Sequence, residues 1–279
     1  MSSGDITSLS GNRKGGNFMR VTFLTQEDPL YILPFFDSFF QQELREIEVT
    51  AIFACRSMGN RKRTKLLREL LTLYGLSGFT KLLGLQVWSK LSESTGLSDI
   101  LGTAQSIRQT AGQHGILYKR IDDPNSQDSI ALIDGQRPDV LVSVACPFIL
   151  KTPLLRLPTM AALNIHHAPL PLYKGMMPTF WQMYHGETSV GITIHSMSER
   201  LDEGEILFQD STPILPGETM HLLIRRSKRY GAHVMLQILQ SFASGTPPQP
   251  LTKAAESSYF SFPTVADMKE FHRRGLRAI

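Results

Sequence analysis

Cysteine occurs only twice in the 279 residues, at Cys55 and Cys146. That excludes a small scaffold stapled by disulfides. The first eighteen residues, MSSGDITSLSGNRKGGNF, are rich in Ser, Gly and Asn, and no apolar stretch follows their basic residues. They read as a disordered tail, or as the lead-in to an alternative start at Met19, and not as a signal peptide. The two thiols are therefore expected to be reduced and buried in a cytoplasmic protein. No run of 18 or more apolar residues occurs, so no segment is expected to span a membrane. Phosphate loops are missing as well. The first strand candidate is followed by TQEDPLY and not by G-x-G-x-x-G, and G-x-x-x-x-G-K-[ST] occurs nowhere. GNRKGG in the tail has no strand or helix beside it. Neither H-x-x-x-H nor C-x-x-C spacing is present. His166, His167, His185, His195 and Asp202 supply ligand atoms, but adjacent histidines on a strand face opposite ways, so no metal is expected. The net charge of +4 is small; it suits an anionic small molecule better than phosphate-dominated binding of nucleic acid.

What is present is a regular alternation. Short runs rich in Val, Ile and Thr read as strands covered on both faces: Arg20 to Leu24, Glu48 to Cys55, Ile116 to Ile121 and Asp139 to Cys146. Helical patterns lie between them, over Pro29 to Glu46, Thr64 to Leu91 with a break at GLSGF, Asp99 to Gln113 and Ser126 to Gly135. Strand–helix–strand repetition predicts an α/β fold: a Rossmann-like, mostly parallel sheet with helices on both faces. Strand candidates continue with AALNIHH, Gly191 to Met197 and Glu205 to Ile214, then a helix over Gly217 to Ser244. SGTPPQP predicts an extended linker, and Thr252 to Ile279 a small C-terminal appendix ending in a basic helix. Trp88, Trp181 and the FFDSFF segment read as core. RRSKR (Arg225 to Arg229) reads as a solvated helix face, with anchoring of an acceptor's phosphates as the alternative, and RKRTK (Arg61 to Lys65) likewise.

In open α/β sheets, ligands meet the carboxyl ends of the strands. AALNIHHAP ends such a strand, and period-two alternation puts Asn164 and His166 on one face. A carboxamide beside an imidazole can stabilise an oxyanion and handle a proton. Pro169 and Pro171 stop the ladder and stiffen the exit, and Gly175 permits a turn. Asp202, with Gly204 behind it, lies in a loop between two strand candidates, where a carboxylate can orient and charge-tune an imidazole. His167 points to the other face and reads as structural; His195 within GITIH lines the cleft or only the core.

These motifs, NIHHAPLPLYKGMMPTFWQM followed by GITIHSMSERLDEGEILFQ, resemble those of the 10-formyltetrahydrofolate-dependent formyltransferase family, which includes glycinamide ribonucleotide transformylase, methionyl-tRNA formyltransferase and sugar N-formyltransferases. The family's Asn-x-His is matched by Asn164 and His166, and its Asp in a D-x-G-x-I context by Asp202, 36 positions beyond His166. Gly175, Pro178 and Trp181 match a G-x-x-P-x-x-W pattern closer to the tRNA and sugar enzymes. His167 stands where relatives often carry Pro or Ala, and Ala168 where Ser is usual.

The resemblance implies an N-formyltransferase domain over 19–215, with 216–279 as C-terminal helix and appendix. It implies Asn164, His166 and Asp202 as catalytic residues, and 10-formyltetrahydrofolate as formyl donor. The donor's pterin would lie against Val144, Ala145, Cys146, Pro147 and Phe148 on one loop and Met197, Arg200 and Leu201 on the other, mainly through backbone. Tyr173, Gly175, Met176, Met177 and Pro178 would meet the acceptor. The expected acceptor is a primary amine of a small molecule, such as an amino sugar or a nucleotide-linked amino sugar. No tRNA-gripping domain is recognised in the 77 residues after Asp202, so no nucleic-acid partner is expected, nor a membrane; a homodimer stays open. The alternatives are hydrolysis of the same donor, formylation of methionyl-tRNA, and a silent folate-binding module.

Overall fold

The computed structural model describes residues 18–56, 63–94, 106–252 and 254–279. The tail over 1–17, Arg61 and Lys62 of RKRTK, and the first part of the helix expected from Asp99 lie outside the described residues. Five strands are β1 (Met19–Gln26), β2 (Ile47–Cys55), β3 (Leu117–Ile121), β4 (Val140–Val144) and β5 (Ala161–His166). They run parallel in the order β3-β2-β1-β4-β5. The order reverses between β1 and β4, the switch point at which such sheets open a crevice. The sheet continues after the two-residue β6 (Lys174–Gly175) with β7 (Ser189–Ser196), antiparallel to β5, and β8 (Ile206–Pro213), antiparallel to β7.

The helices are α1 (Leu33–Phe40), α2 (Arg63–Ser94), α3 (Ile107–Gln113), α4 (Gln127–Asp134), α5 (Thr152–Leu155), α6 (Pro178–His185), α7 (Met220–Ala243) and α8 (Val265–Arg273). The FFDSFF segment forms α1, with its four phenylalanines buried. Three of them, Phe35, Phe36 and Phe39, pack around Phe23 of β1, with ring centroids 6.3, 5.4 and 5.2 Å away. Each such fully buried side chain stabilises the fold by about 1.5–3 kcal/mol. Together with α7, α1 covers one face of the sheet, where Val142, Leu163 and Ile165 face them. A smaller cluster around Leu141, Leu150 and Leu154 fills the other face.

Two expectations about burial are corrected. Trp88 is 58% exposed on α2, whereas Trp181 is buried. RRSKR is only in part a solvated face: Arg229 is exposed, but Arg225 donates to the Leu30 carbonyl at 2.6 Å, Arg226 forks onto Glu218, and Lys228 is only 8% exposed. The break expected at GLSGF is present as a kink at Gly75, whose φ of 64° lies in the left-handed region. Cys55 is buried as expected, but Cys146 is half-exposed, with the two sulfurs 3.6 Å apart and both thiols free.

The appendix is more integrated than a tail. Its short strand β9 (Tyr259–Phe260) pairs in parallel with β6, and α8 carries a capping box between Thr264 and Asp267. This pairing ties the C-terminal segment to the loop that leaves β5.

Candidate active site

Alternation along β5 turns Leu163 and Ile165 into the core beneath α7 and leaves Asn164 and His166 on the opposite face. The antiparallel register sets Asn164 directly across from His195 of β7. Their side chains meet at 3.0 Å, Nδ2 of Asn164 to Nε2 of His195. The other ring nitrogen of His195 lies 2.8 Å from the Ser196 carbonyl. A carbonyl only accepts, so Nδ1 carries the proton. In the neutral ring Nε2 then accepts from the carboxamide, which fixes Asn164 with its amide oxygen and second N–H turned elsewhere.

His166 is 8% exposed, and both of its ring nitrogens face oxygen. Nε2 donates to the Tyr173 carbonyl at 3.0 Å, and Nδ1 lies 3.6 Å from Oδ1 of Asp202. The same carboxylate oxygen is 3.8 Å from Nε2 of His195. Oδ2 of Asp202 accepts from the Gly175 amide at 3.0 Å. Asp202 is itself 8% exposed and holds φ at 54°, a left-handed conformation uncommon for a side chain with a Cβ. Gly204 explains how the loop closes: a Cβ there would sit 1.6 Å from the Ser196 carbonyl oxygen. One carboxylate thus touches both histidines and the backbone of the neighbouring loop.

That loop, Tyr173 to Pro178, is held on all sides. Tyr173 is buried, with φ of 58°, and its amide donates to Ser258 Oγ at 2.8 Å. Its hydroxyl donates to Glu187 at 2.6 Å; burial, then that hydrogen bond, push its ionisation up. Lys174 donates its amide to the Ser258 carbonyl and Met176 its own to Phe260. Gly175 has φ of 97° and room for no Cβ, which would meet the Phe260 carbonyl oxygen at 2.3 Å. Met177 caps α6 in the left-handed conformation, and Pro178 opens the helix. Sequence reasoning missed the part played by Ser258 to Ser261. The visible signal was only the SSYFSF run, with Tyr259 and Phe260 exposed and half-buried on a segment that has no helical or strand period.

Of the residues expected to meet a pterin, Val144 to Phe148 lie at the carboxyl end of β4, whereas Met197 follows β7 and donates its amide to the Ala162 carbonyl at the start of β5. Val144 closes β4; Ala145 turns the chain with φ of 54°. Cys146, Phe148 and Met197 are half-buried and pack on the cluster of Leu150 and Leu154. Ser143 of β4 is the parallel register partner of Asn164. Arg200 and Leu201 project outward, the Arg200 guanidinium 3.7 Å from Glu203. Strand alternation was expected to turn His167 to the other face, and its ring packs there against Gly231 of α7. Both ring nitrogens are buried without a hydrogen-bond partner. Burial, then the charges of Lys228 and His166, hold His167 well below the usual histidine range. Burial also pulls the Lys228 ammonium down to about 8, with Asp28 opposing. Among the described residues no group of three or more His, Cys, Asp or Glu side chains is placed to hold a metal.

A fixed carboxamide donor, an imidazole and a buried carboxylate at the carboxyl end of a parallel sheet can together steady a developing negative oxygen and move a proton, the two demands of acyl-group transfer. Residues 101–239 match the family model described as formyl transferase. Among curated proteins, a methionyl-tRNA formyltransferase from Syntrophus aciditrophicus (strain SB) is 35% identical over 130 residues, which is 47% of this chain and 42% of that protein. The chain thus matches less than half the length of that relative. Among solved structures, a glycinamide ribonucleotide transformylase 1 from Symbiobacterium toebii superposes with a TM-score of 0.56 at 18% identity, covering 88% of this chain and 100% of that one. A sugar 3N-formyl transferase, solved in the presence of dTDP and 5-N-formyl-THF, gives a TM-score of 0.51 at 17% identity, covering 88% and 70%. These likenesses establish the shared mostly parallel α/β fold.

Proposed function

We propose that the chain transfers a formyl group from 10-formyltetrahydrofolate to the primary amine of a small molecule. The observation that carries this reading is the convergence of Asn164, His166 and Asp202, spanning 38 positions of sequence, about one strand end: Asn164 meets His195 at 3.0 Å, and Oδ1 of Asp202 lies 3.8 Å from the same ring and 3.6 Å from His166. The loop Val144 to Phe148 and the loop Met197 to Asp202 would hold the pterin, with Cys146, Phe148 and Met197 against its ring. When bound, the folate supplies the formyl carbon and a nitrogen leaving group. The Asn164 carboxamide, kept in place by His195, donates to the oxygen at that carbon as negative charge develops. The Nε2–H of His166, which points at the Tyr173 carbonyl in the resting site, is the second donor that this oxygen would take over. Asp202 orients His166 through Nδ1 and, with water, passes the proton lost by the attacking amine toward the departing nitrogen. The new C–N bond forms to the amine, the old C–N bond breaks, and the proton count balances.

The acceptor class rests on the likeness to the sugar enzyme's fold and on the G-x-x-P-x-x-W pattern. An amino sugar, free or nucleotide-linked, is the leading acceptor. Methionyl-tRNA is the second reading, favoured by the curated relative. Incubation of the full chain with 10-formyltetrahydrofolate and a panel of amines separates the cases. Amine-dependent release of tetrahydrofolate with a formylated amino sugar supports the proposal. Release without any amine indicates hydrolysis, and formylation of methionyl-tRNA alone moves the acceptor to RNA.

A further inference from the structure

Cys55 and Cys146, the chain's two cysteines, are 91 positions apart in sequence, yet their sulfurs lie 3.6 Å apart with both thiols free. A disulfide holds its sulfurs about 2.05 Å apart, so closing the bond asks for a movement of about 1.5 Å. The two cysteines are not equally able to make it. Cys55 is 2% exposed and ends β2, where its register partners are Gln26 of β1 on one side and Ile121 of β3 on the other. A residue paired on both sides is held by its ladder. Cys146 is half-exposed and lies two residues beyond the end of β4. Its loop is tied at both ends. The Thr25 hydroxyl donates to the Val144 carbonyl at 2.8 Å. The Asn125 carboxamide donates to the Ile149 carbonyl at 3.0 Å and accepts from the Lys151 amide at 2.8 Å. The movement therefore falls on residues 145–148, where Ala145 already turns the chain with φ of 54°.

The chemistry divides in the same way. The thiolate is the attacking form, and it must reach its oxidant. The hydrogen bond with Cys146, then burial, push the Cys55 ionisation up, so Cys55 keeps its proton in the reduced pair. The accessible Cys146 is the sulfur that meets an oxidant first, and Cys55 stands in contact to resolve the product. We propose that Cys55 and Cys146 are a reversible oxidation site: a low-molecular-weight disulfide such as oxidised glutathione converts them to a disulfide, which draws the loop Val144 to Phe148 out of the shape that takes the pterin. In the first step the Cys146 thiolate attacks one sulfur of the oxidant, whose S–S bond breaks and releases one thiolate. In the second the Cys55 sulfur attacks Cys146 in the mixed disulfide, and the second thiolate leaves. The two cysteine protons pass to the two released thiolates. Two cysteines are oxidised and one disulfide is reduced to two thiols, so electrons and protons balance. The effect on folate rests on the reading of this loop as the pterin's; the disulfide itself does not.

The test incubates the full chain with oxidised glutathione and reads two things. Mass spectrometry should show the intact chain lighter by two hydrogens with no glutathione attached, and a digest should join the peptides of Cys55 and Cys146. Thermal protection by 5-formyltetrahydrofolate should be present in the reduced chain, need about tenfold more ligand after oxidation, and return with dithiothreitol. Cys55→Ala, whose lost sulfur lies outside the pterin loop, should match the parent's protection under reduction and stop at one glutathione per chain under oxidation. Should that variant melt well below the parent, the digest of the unaltered chain still decides. Thiols that stay free, a chain that stops at the mixed disulfide, or a crosslink between two chains overturns the disulfide. A disulfide that leaves folate protection unchanged overturns its link to the loop. No protection even in the reduced chain would contradict the folate reading and that link together, while the mass measurement still judges the disulfide by itself.

Discussion

Nε2 of His195 lies 3.0 Å from Nδ2 of Asn164, while Nδ1 of the same ring is tied to the Ser196 carbonyl at 2.8 Å. The imidazole is thereby a fixed acceptor that sets which way the carboxamide faces. Removal of one oxyanion donor costs about 10²–10³ in rate, and Asn164→Ala should lose kcat in that range. His195→Ala should lose kcat with little change in folate affinity. The double variant should be no slower than Asn164→Ala, because the two side chains act as one unit. Steady-state kinetics on the four proteins checks this; additive losses would show that His195 acts apart from Asn164.

Asp202 connects three groups, so its substitution should separate chemistry from stability. Asp202→Asn keeps the shape and the acceptor for the Gly175 amide but removes the charge facing His166. Its kcat should fall at least about 10²-fold with the melting temperature nearly unchanged. Gly204→Ala should do the opposite kind of damage. Its Cβ would overlap the Ser196 carbonyl, the loop must shift, and a loss of about 1–3 kcal/mol in stability should accompany the loss of activity. Thermal denaturation of both variants distinguishes the two.

His167 makes the fold acid-sensitive. Its folded ionisation lies well below the usual value near 6.5, so below that pH the unfolded chain binds the proton that the native ring refuses. Its contribution is complete above about pH 6.5 and is lost as pH falls toward the folded value, by at most about 1.4 kcal/mol per pH unit. His167→Leu removes a ring whose two nitrogens have no partner and should flatten the dependence of the melting temperature on pH between about 6.5 and 5. An unchanged slope in that variant would assign the acid sensitivity elsewhere.

A reduced folate should protect the protein against heat. A ligand bound to the native state alone adds RT ln(1 + [L]/Kd), about 2.7 kcal/mol at a hundredfold excess over Kd. NAD and ATP should give no comparable shift, since the sequence holds neither phosphate loop. Differential scanning with each ligand measures this directly.

The central strands were readable because their apolar residues are covered on both faces whatever the helices do. Val21, Ile52, Val142 and Ile165 are each at most 3% exposed. Asn164 and His166 were readable because a strand's period of two is rigid. The direction of β7 and β8 was not, since alternation says nothing about polarity of pairing. Trp88 and Lys228 were misread for one reason: burial belongs to the partner surface, and neither the exposure of α2 nor the cover over α7 is written locally. His195 was legible as a cleft residue but not as the partner of Asn164, because that contact depends on the cross-strand register. The hold of Ser258 on Tyr173 spans 85 residues of separation and depends on a two-residue strand pairing that no periodicity announces.

The measurement closest to the central claim is the release of tetrahydrofolate from 10-formyltetrahydrofolate by the full chain, with and without amino sugars and their nucleotide-linked forms, beside His166→Ala. The expected result is release that requires an amine, equals the yield of formylated amine, and disappears in His166→Ala while that variant still melts cooperatively and is still protected by folate. Release at the same rate without amine, or undiminished transfer by His166→Ala, would contradict formyl transfer by the Asn164–His166–Asp202 cluster.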